Sequence, residues 1–322
     1  MTGALQELDF VDLILGSTYA EVRVHAGATR VQPLEDKYKG EIEELRHLCH
    51  QGLLSAGEPE FSVRCRDVLY RVSAMNTLDV ESVVFFLSRP SRVLVSFKDI
   101  PLSNQVRTLV LNESAKGLVL VAGAMSSGKT STCASWVVAN LERHGGQALV
   151  LQDPVETYLE GLHGTGRAHS LVVSRKTGSY EDVLRRSLRA RAPLMFIGEI
   201  RDSLTAQVAL HHSNTNTRMA STIHASGIVG ALKQISSWAA SRSTHEESRD
   251  ALATGLVAVI FQRFIGVDAA GTPKRLVVES LAVTGAPNEQ VMRNKIRSGN
   301  FDDLAGDIEQ QRRAPWTSTL NT

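Results

Sequence analysis

Residues 119–132, VLVAGAMSSGKTST, decide the fold of this chain. Apolar and β-branched residues lead to Gly123, and after four intervening residues comes Gly-Lys-Thr at positions 128–130. This spacing is the P-loop pattern, in which a small-residue turn joins a buried strand to a helix. The stretch 131–144 then carries apolar residues at helical spacing and stops at a Gly-Gly pair. The segment therefore predicts a strand, a phosphate-binding loop and a helix, in that order.

The loop has the chemistry that holds phosphate groups. Backbone N–H groups of the turn and of the helix N-terminus point at phosphate oxygens. Lys129 is expected against the β- and γ-phosphates, and the Thr130 hydroxyl is expected on Mg²⁺. The residues predicted to contact the phosphates are Gly123, Ser126, Ser127, Gly128, Lys129, Thr130 and Ser131.

Composition limits the classes of protein to consider. The 322 residues suit about two domains. Thirty-five basic and 34 acidic side chains leave a net charge of +1, which gives no global electrostatic reason to expect nucleic-acid binding. The sequence has no apolar stretch near the roughly 20 residues that span a bilayer, and we see no signal peptide. Three scattered cysteines, Cys49, Cys65 and Cys133, indicate reduced thiols in the cytosol and exclude a four-cysteine zinc site within one chain.

The pattern of the sequence changes near residue 100. Before it, short alternating strand patterns flank a helix-like stretch at 36–54, which predicts a small α+β domain over residues 1–100. We expect a linker at 101–112, where a proline interrupts the pattern. Over residues 113–322, apolar strands alternate with helices, which predicts a parallel α/β sheet with its ligand at the carboxyl ends of the strands. The strands expected after the P-loop strand are ALVLQD, LMFIGEI, ASTIHA, AVIFQR and RLVVES, with helices beyond about residue 285.

Three of these strands end in side chains that suit nucleotide chemistry. ALVLQDPVE carries Asp153 and Glu156, LMFIGE ends in Glu199, and MASTIH ends in His224. Glu199 stands where a carboxylate orients attacking water or supports Mg²⁺, and His224 where a γ-phosphate sensor can stand. Each residue alone is more often a helix cap, a surface charge or a structural hydrogen-bond donor. Three such strand ends in the sheet of one P-loop favour the functional interpretation.

A predicted helix over 179–191 is rich in arginine. It begins with the capping-box pair Ser179 and Asp182. Its later part carries Arg185, Arg186, Arg189 and Arg191. Two explanations stay open: a solvated face with favourable charge at the helix C-terminus, or a cluster that meets phosphate or the acids of an adjacent subunit.

The assembled motifs resemble those of a known family, the secretion traffic ATPases of type II secretion, type IV secretion and type IV pili. GAMSSGKTST is similar to its Walker A box, LQDPVET to its Asp box, LMFIGEIRDSLTAQVAL to its Walker B box and STIHASGIVGAL to its His box. YRVSAM resembles an arginine-bearing strand of its N-terminal domain, and VMRNKIRSGNFDDL resembles the C-terminal helices of retraction-type members. The resemblance covers most of the chain and is nearest to pilus-retraction (twitching-motility) and conjugation or type IVB secretion members.

This resemblance implies a fold, an activity and partners. The fold would be a RecA-like P-loop ATPase domain with a smaller α+β PAS-like N-terminal domain, and six chains would form a ring. ATP and Mg²⁺ would bind between the two domains of one chain, with Asp153 beside Thr130 at the metal and with Arg71 and Arg89 completing the site. The ring would be cytoplasmic, attached to the inner membrane through platform or secretion-channel proteins, and would not bind nucleic acid directly. The catalytic residues implied are Glu156, Glu199 and His224.

The chain departs from the family pattern at three positions that bear on activity. Ser126 stands where the family often has Gly, Gln152 where it has Glu, and Pro193 where it has an acid. If position 126 needs a positive φ, serine costs more than glycine. The cysteine quartet that binds zinc in secretion and pilus-assembly members is absent, which favours the shorter retraction or type IV secretion branch. ATP hydrolysis stays the expected activity, and the three departures are compatible with slow turnover.

Two other functions are compatible with the sequence. A catalytically degenerate subunit would bind ATP and act as a scaffold, and phosphate release by the purified protein separates it from a motor. A RecA-like nucleic-acid motor is disfavoured by the near-zero net charge and by 5% aromatic residues, too few for an evident base-stacking platform. For a motor or a scaffold of this family, the sequence leaves three machines open: a pilus, a conjugation channel or an effector-secretion system.

Overall fold

The computed structural model describes residues 5–8, 10–24, 30–78, 82–91, 94–153, 155–171, 180–267, 273–313 and 316. The chain divides into two compact units. Unit 1 comprises Met1–Arg92, Pro154–Tyr158 and Ser174–Ser179, and unit 2 comprises Val93–Asp153, Leu159–Val173 and Tyr180–Thr322. The predicted capping residue Ser179 lies outside the described residues.

Unit 1 is an antiparallel sheet with a long helix packed against it. Its elements are β1 (Asp12–Leu15), β2 (Ala20–Arg23), β3 (Gln32–Pro33), α1 (Lys39–Ala56), β4 (Glu60–Cys65), β5 (Val68–Asn76) and β6 (Val83–Ser88). Within the described residues the strands pair in the order β3-β2-β1-β6-β5-β4. A sheet of antiparallel strands with one helix is the α+β arrangement that the sequence predicts for this region. The likeness to a PAS domain stays a prediction.

Helix α1 forms because its apolar residues fall on one stripe. Ile42, Leu45 and Cys49 are buried against the sheet, at the spacing that places side chains on one helix face. The helix ends at Gly57, which has φ 67 and donates its N–H to the Leu53 carbonyl. The predicted helix at 36–54 is therefore present, preceded by one turn of 3-10 helix.

Unit 2 is a sheet with helices on both faces. Its elements are α2 (Asn104–Val110), β7 (Gly117–Gly123), α3 (Lys129–His144), β8 (Gln147–Leu151), β9 (Gly161–His163), β10 (Gly166–Leu171), α4 (Tyr180–Ala190), β11 (Leu194–Ile200), α5 (Ser203–Ser213), β12 (Arg218–His224), α6 (Ile228–Ala240), α7 (His245–Gly255), β13 (Leu256–Val267), β14 (Pro273–Ala282), α8 (Glu289–Ser298) and α9 (Leu304–Arg313). Among the helices described, none is long and apolar enough to cross a membrane.

The sheet of unit 2 is mixed rather than wholly parallel. Its described strands pair in the order β14-β13-β7-β12-β11-β8-β10-β9. The strands from β13 to β10 in this order run parallel, whereas β14 and β9 are antiparallel edge strands. The expectation that RLVVES continues the parallel succession is therefore wrong, because the connection at 268–272 is too short for a crossover helix. Strands β9 and β10 form a further hairpin, which the sequence pattern does not predict.

Strand β7 lies in the interior of this sheet, between β13 and β12, and joins two cores. All of its residues are buried, and their side chains alternate between the two faces. Val119 and Val121 pack with Trp136 and Val137 of α3 on one face. Leu118 and Leu120 pack on the other face, in the core to which α5, α6 and α7 contribute. The P-loop is thus mounted on the most enclosed strand of the unit.

The structure divides the chain earlier than the predicted boundary at residue 100. The division falls between Arg92 and Val93, and the predicted linker at 101–112 contains α2. The side chain of Ser103 caps this helix by accepting a hydrogen bond from the Val106 N–H. Val106 and the last two residues of α2 are buried in the same core as α3. The segment packs because its apolar residues lie on one face of the helix.

Candidate nucleotide site

The P-loop turn depends on two glycines with different physical roles. A Cβ on Gly123 would lie 2.4 Å from the Gln262 carbonyl oxygen and 2.6 Å from Ser127 Oγ, so only glycine allows this close approach. Gly128 has φ 83, in the left-handed region, and directly precedes the first residue of α3. The loop therefore leads the chain directly into the N-terminus of α3, where backbone N–H groups can point at a bound anion.

Ser126 has φ 58, so the position does require the left-handed conformation. For a residue with a Cβ this conformation costs roughly 1–2 kcal/mol, and glycine would avoid the cost. The departure from the family pattern therefore lowers stability at an exposed turn. The chain nevertheless adopts the turn.

Lys129 is the first residue of α3, and its side chain returns over the loop. The residue is only 6% exposed, and Nζ donates a hydrogen bond of 2.7 Å to the Ala124 carbonyl oxygen. Nζ also lies 3.3 Å from Nδ1 of His224. The ammonium group is therefore held at the loop, between the start of the turn and the end of strand β12.

His224 connects Lys129 to Glu199. Its Nε2 lies 3.2 Å from Oε1 of Glu199, while its Nδ1 faces the ammonium group of Lys129. Because an ammonium group can only donate, the arrangement suits the histidine tautomer with its hydrogen on Nε2, directed at the carboxylate. The two side chains are 41% and 36% exposed, so this end of the contact chain is open to solvent and to a ligand.

The sheet register explains why these three side chains meet. His224 pairs with Gly123, the last residue of β7 before the P-loop. The pairing of β11 with β12 is irregular between Ile197 and Ile200, and Glu199 lies inside this irregularity. A bulge of this kind redirects a side chain at a strand end. Three neighbouring parallel strands thus bring a cation, an imidazole and a carboxylate to one edge of the sheet.

The other predicted contact residues divide between the two units. Ser127 is buried, and its Oγ donates to the Ala124 carbonyl oxygen at 2.8 Å, while Thr130 and Ser131 lie in the first turn of α3. Asp153 follows β8 and pairs with Arg201, with Oδ2 and the guanidinium nitrogen 3.5 Å apart. Glu156, Arg71 and Arg89 belong to unit 1.

The predicted residues of unit 1 have clear local partners. The Glu156 carbonyl oxygen accepts the Ser91 N–H at 2.9 Å, which fixes this segment beside the end of β6. Arg89 donates to the carbonyl oxygens of Gln6 and Leu8, and its guanidinium lies 3.9 Å from the centre of a phenylalanine ring at position 10. These contacts give Arg89 a structural role within the unit. Arg71 lies on β5 opposite Ser88. The assignment of either arginine to a nucleotide stays a prediction.

The arginine-rich helix α4 makes contacts within itself. Arg185 forms an ion pair with Glu181 one turn earlier, and Arg186 Nε donates to the Asp182 carbonyl oxygen at 3.2 Å. Both arginines are exposed. Of the two explanations that the sequence leaves open, these contacts favour the solvated helix face.

Gln262 is the site residue that sequence reasoning missed. It lies on β13 with its side chain fully buried, its Nε2 donates to the Ser127 carbonyl oxygen at 2.6 Å, and its Oε1 accepts the Thr132 hydroxyl at 2.8 Å. One side chain thus joins β13, the P-loop and α3. The feature of the sequence that could have identified Gln262 is its position as a single amide in the apolar strand AVIFQR. A buried amide must find hydrogen-bond partners, so its neighbours in the fold are polar groups.

The cysteines are packing residues. Cys49, Cys65 and Cys133 are free and buried. Burial raises the pKa of the Cys49 thiol to about 12, and burial likewise raises the pKa of Cys133, which lies in the second turn of α3. These two thiols are therefore protonated at neutral pH and are neither nucleophiles nor metal ligands.

The fold and this site define a class of protein. The features that make unit 2 a RecA-like P-loop fold are a mainly parallel sheet with helices on both faces, a P-loop after the interior strand β7 and charged groups at the neighbouring strand ends. The chain belongs to the family described as type II/IV secretion system protein, whose sequence model matches residues 55–295. The family resemblance that the motifs carry is thereby confirmed.

Three individual proteins illustrate the relationship. Type II secretion system protein E of Pseudomonas aeruginosa is 29% identical over 181 residues, which cover 56% of this chain and 35% of that protein. The crystal structure of the pilus retraction motor PilT with bound ADP aligns with a TM-score of 0.76 and 24% identity, over 95% of this chain and 87% of that one. The Legionella pneumophila ATPase DotB aligns with a TM-score of 0.69 and 17% identity, over 95% and 85% of the two chains. The two structural likenesses show the fold, and this chain spans about a third of the secretion protein's length.

Proposed function

We propose that this chain is the ATP-hydrolysing subunit of a ring-shaped motor that drives a type IV pilus or a type II or type IV secretion machine at the inner membrane. The observation that carries the proposal is the contact chain from Lys129 through His224 to Glu199 beside the P-loop. The cation that would bind phosphate and the carboxylate that would orient water both contact the same side chain, His224. Membership of the type II/IV secretion system protein family supports the choice of machine.

The residues divide the chemistry between them. The loop N–H groups and Lys129 hold the β- and γ-phosphates of ATP, and lysine leaves the Ala124 carbonyl oxygen for the phosphate oxygens when ATP binds. Glu199 orients the attacking water and accepts its proton as the water oxygen bonds to the γ-phosphorus in line with the departing ADP. His224 contacts both Lys129 and Glu199. It exchanges one of these contacts for the γ-phosphate when ATP binds, which makes it the sensor.

The donor set at the P-loop fits Mg²⁺ bound mainly by phosphate and water. Among the described residues, no group of three or more His, Cys, Asp or Glu side chains is placed to hold a metal ion. Mg²⁺ in nucleotide sites usually has one or two protein ligands and keeps several waters, so a large acidic cluster is not required. Thr130 would supply its hydroxyl, and Asp153, two residues after the end of β8, is the candidate carboxylate. The ion would neutralise charge on the phosphates.

The proposed motor also assigns roles to residues of unit 1. Glu156 would support the attacking water, and Arg71 and Arg89 would stabilise phosphate charge when unit 1 closes over ATP. An arginine at transition-state charge is worth on the order of 10³ in rate. Because Arg89 holds two carbonyl groups inside unit 1, it would have to exchange these contacts, and Arg71 is the simpler candidate.

Hydrolysis by a hexamer would convert this closure into movement. Binding energy that turns one domain against the other in each subunit would do mechanical work on membrane platform or channel proteins. The activity of such a ring depends on assembly. We expect the ATPase rate per chain to rise with protein concentration as the molar mass from light scattering rises to that of six chains. A flat rate per chain in a protein that stays monomeric would contradict the ring.

Nucleotide binding without rapid turnover is the second candidate. The observation that favours it is the positive φ of Ser126, which places the cost of a strained serine inside the P-loop. A scaffold subunit would bind ATP and release almost no phosphate. The motor and the scaffold therefore make opposite predictions for the same purified protein.

Phosphate release and nucleotide affinity, measured together, test the proposal. Wild-type protein should bind ATP and release phosphate steadily, whereas Lys129→Ala should lose both because the cation nearest the phosphates is gone. Lys98→Ala removes an exposed lysine of the same unit and serves as the matched control. Binding without phosphate release by the wild type would favour the scaffold. Unchanged activity in Lys129→Ala would refute the P-loop assignment itself.

A further inference from the structure

The strand pair next to the P-loop extends beyond it. Strand β13 pairs with β7 only as far as Phe261, which lies opposite Ala122. It continues to Val267 while paired with β14. At about 3.3 Å per residue, the last five residues of β13 reach roughly 15 Å past the end of β7. The β13–β14 pair therefore forms a ledge beside the phosphate-binding loop.

One aromatic side chain occupies the face of this ledge that looks toward the loop. Side chains alternate along a strand, so Phe264 shares a face with Gln262, whose amide contacts Ser127 of the P-loop and Thr132 of α3. A Cβ placed on Gly128 would lie 3.7 Å from a ring carbon of Phe264, so the ring lies close to the last glycine of the loop. Phe264 is 40% exposed, which leaves part of its ring uncovered beside a polar site.

The positions of the charged residues indicate which end of a nucleotide lies on this side. His224 and Glu199 are on β12 and β11, and both strands lie on one side of β7. Strand β13 lies on the opposite side of β7. A triphosphate with its terminal phosphate near His224 and Glu199 therefore directs its nucleoside away from them, and the ledge of β13 is on that side.

We propose that Phe264 is the platform on which the base of the bound nucleotide stacks. This inference rests on the proposed binding of ATP at the P-loop and adds the subsite for the base. Stacking on an aromatic ring uses the π-face that every base presents, so it gives affinity for nucleosides with little choice between bases. The site should then bind ATP and GTP with similar contributions from Phe264, and the phosphates should gain nothing from it.

The structure offers a matched control on the same strand. Ile265 is 39% exposed, nearly the same fraction as Phe264, and alternation places it on the opposite face of β13. The cross-strand partner of Phe264 is Leu276, which packs against the core on the α3 side. Shortening Ile265 therefore removes a comparable apolar side chain from the ledge without touching the face beside the loop.

Titration calorimetry of the full chain with ATP, GTP and inorganic tripolyphosphate, each with Mg²⁺, tests the platform. Phe264→Ala should weaken binding of ATP and GTP by roughly 5- to 150-fold, the usual loss for one stacked base. Binding of tripolyphosphate should stay unchanged. Phe264→Trp should keep nucleotide affinity, Phe264→Leu should lose most of it, and Ile265→Ala should match the wild type.

The outcomes separate this inference from the function on which it rests. If the wild type binds ATP and tripolyphosphate but Phe264→Ala binds ATP as tightly, the platform is refuted and the P-loop assignment stands. If Phe264→Ala weakens tripolyphosphate as much as ATP, the ring supports the loop rather than the base, and the platform is again refuted. If the wild type binds neither, the proposed function fails together with the inference.

Discussion

Replacing Gln262 with leucine should destabilise unit 2 by removing the side chain that joins β13 to the P-loop and α3. The amide is fully buried, donates to the Ser127 carbonyl oxygen at 2.6 Å and accepts from the Thr132 hydroxyl at 2.8 Å. Leucine has a similar volume but offers neither contact. A buried polar group left without its partner costs about 1–3 kcal/mol, so two such groups give an expected loss of about 2–6 kcal/mol. Nucleotide affinity should fall as well, because Ser127 belongs to the loop.

Urea unfolding followed by tryptophan fluorescence measures this loss. The three tryptophans, Trp136, Trp238 and Trp316, all lie in unit 2, so the signal reports that unit. The transition midpoint should fall with little change in slope. Thr132→Val provides the control, and the double variant should cost less than the sum of the two single variants because they share one hydrogen bond. A loss below about 0.5 kcal/mol for Gln262→Leu, the usual range of a surface substitution, would refute the reasoning.

Three further predictions concern strain, pH and unit 1. Ser126→Gly should stabilise unit 2 by about 1 kcal/mol in the same unfolding assay, because glycine adopts φ 58 without the cost that serine bears; no gain over Ser126→Ala would contradict this. Burial, with His211 beside it, lowers the pKa of His212 to about 4 from 6.5, so the folded state binds fewer protons than the unfolded chain between these values. The stability of unit 2 should therefore fall by up to about 3 kcal/mol as the pH drops from 6.5 to 4, and His212→Gln should flatten that dependence. Arg89→Ala should speed hydrogen exchange in β1, since it removes two hydrogen bonds and a contact with the Phe10 ring; exchange as slow as in the wild type would count against a structural role.

The sequence predicts the P-loop and its neighbouring strand ends because these depend on local patterns. A buried strand, a small-residue turn and a helix follow one another along the chain, and the carboxyl ends of parallel strands meet at one edge of a sheet. Lys129, Glu199 and His224 could therefore be placed near one another before any coordinates. The irregularity that holds Glu199 also lies within its own strand.

Other features depend on register and could not be read from local patterns. The role of Gln262 follows from the alignment of β13 with β7, which are far apart in sequence. The antiparallel direction of β14 follows from a short connection between two strands whose compositions suit either direction. The sequence pattern predicts a linker where α2 lies, because Pro101 interrupts it, but this proline stands two residues before the N-cap Ser103 and leaves the helix intact. In each case the local sequence is compatible with more than one structure, and contacts between distant parts of the chain select one of them.

The exchange of Glu199 for glutamine tests the central claim most directly. The amide keeps the shape of the side chain beside His224 but cannot accept the proton of an attacking water. ATP affinity and phosphate release should be measured on the same preparation, with Glu279→Gln, a substitution on β14, as the control. Glu199→Gln should bind ATP near the wild-type affinity with turnover reduced by 10² or more, about the contribution of one acid–base group. Wild-type turnover in Glu199→Gln would contradict the role of Glu199 as the base and transfer it to another residue.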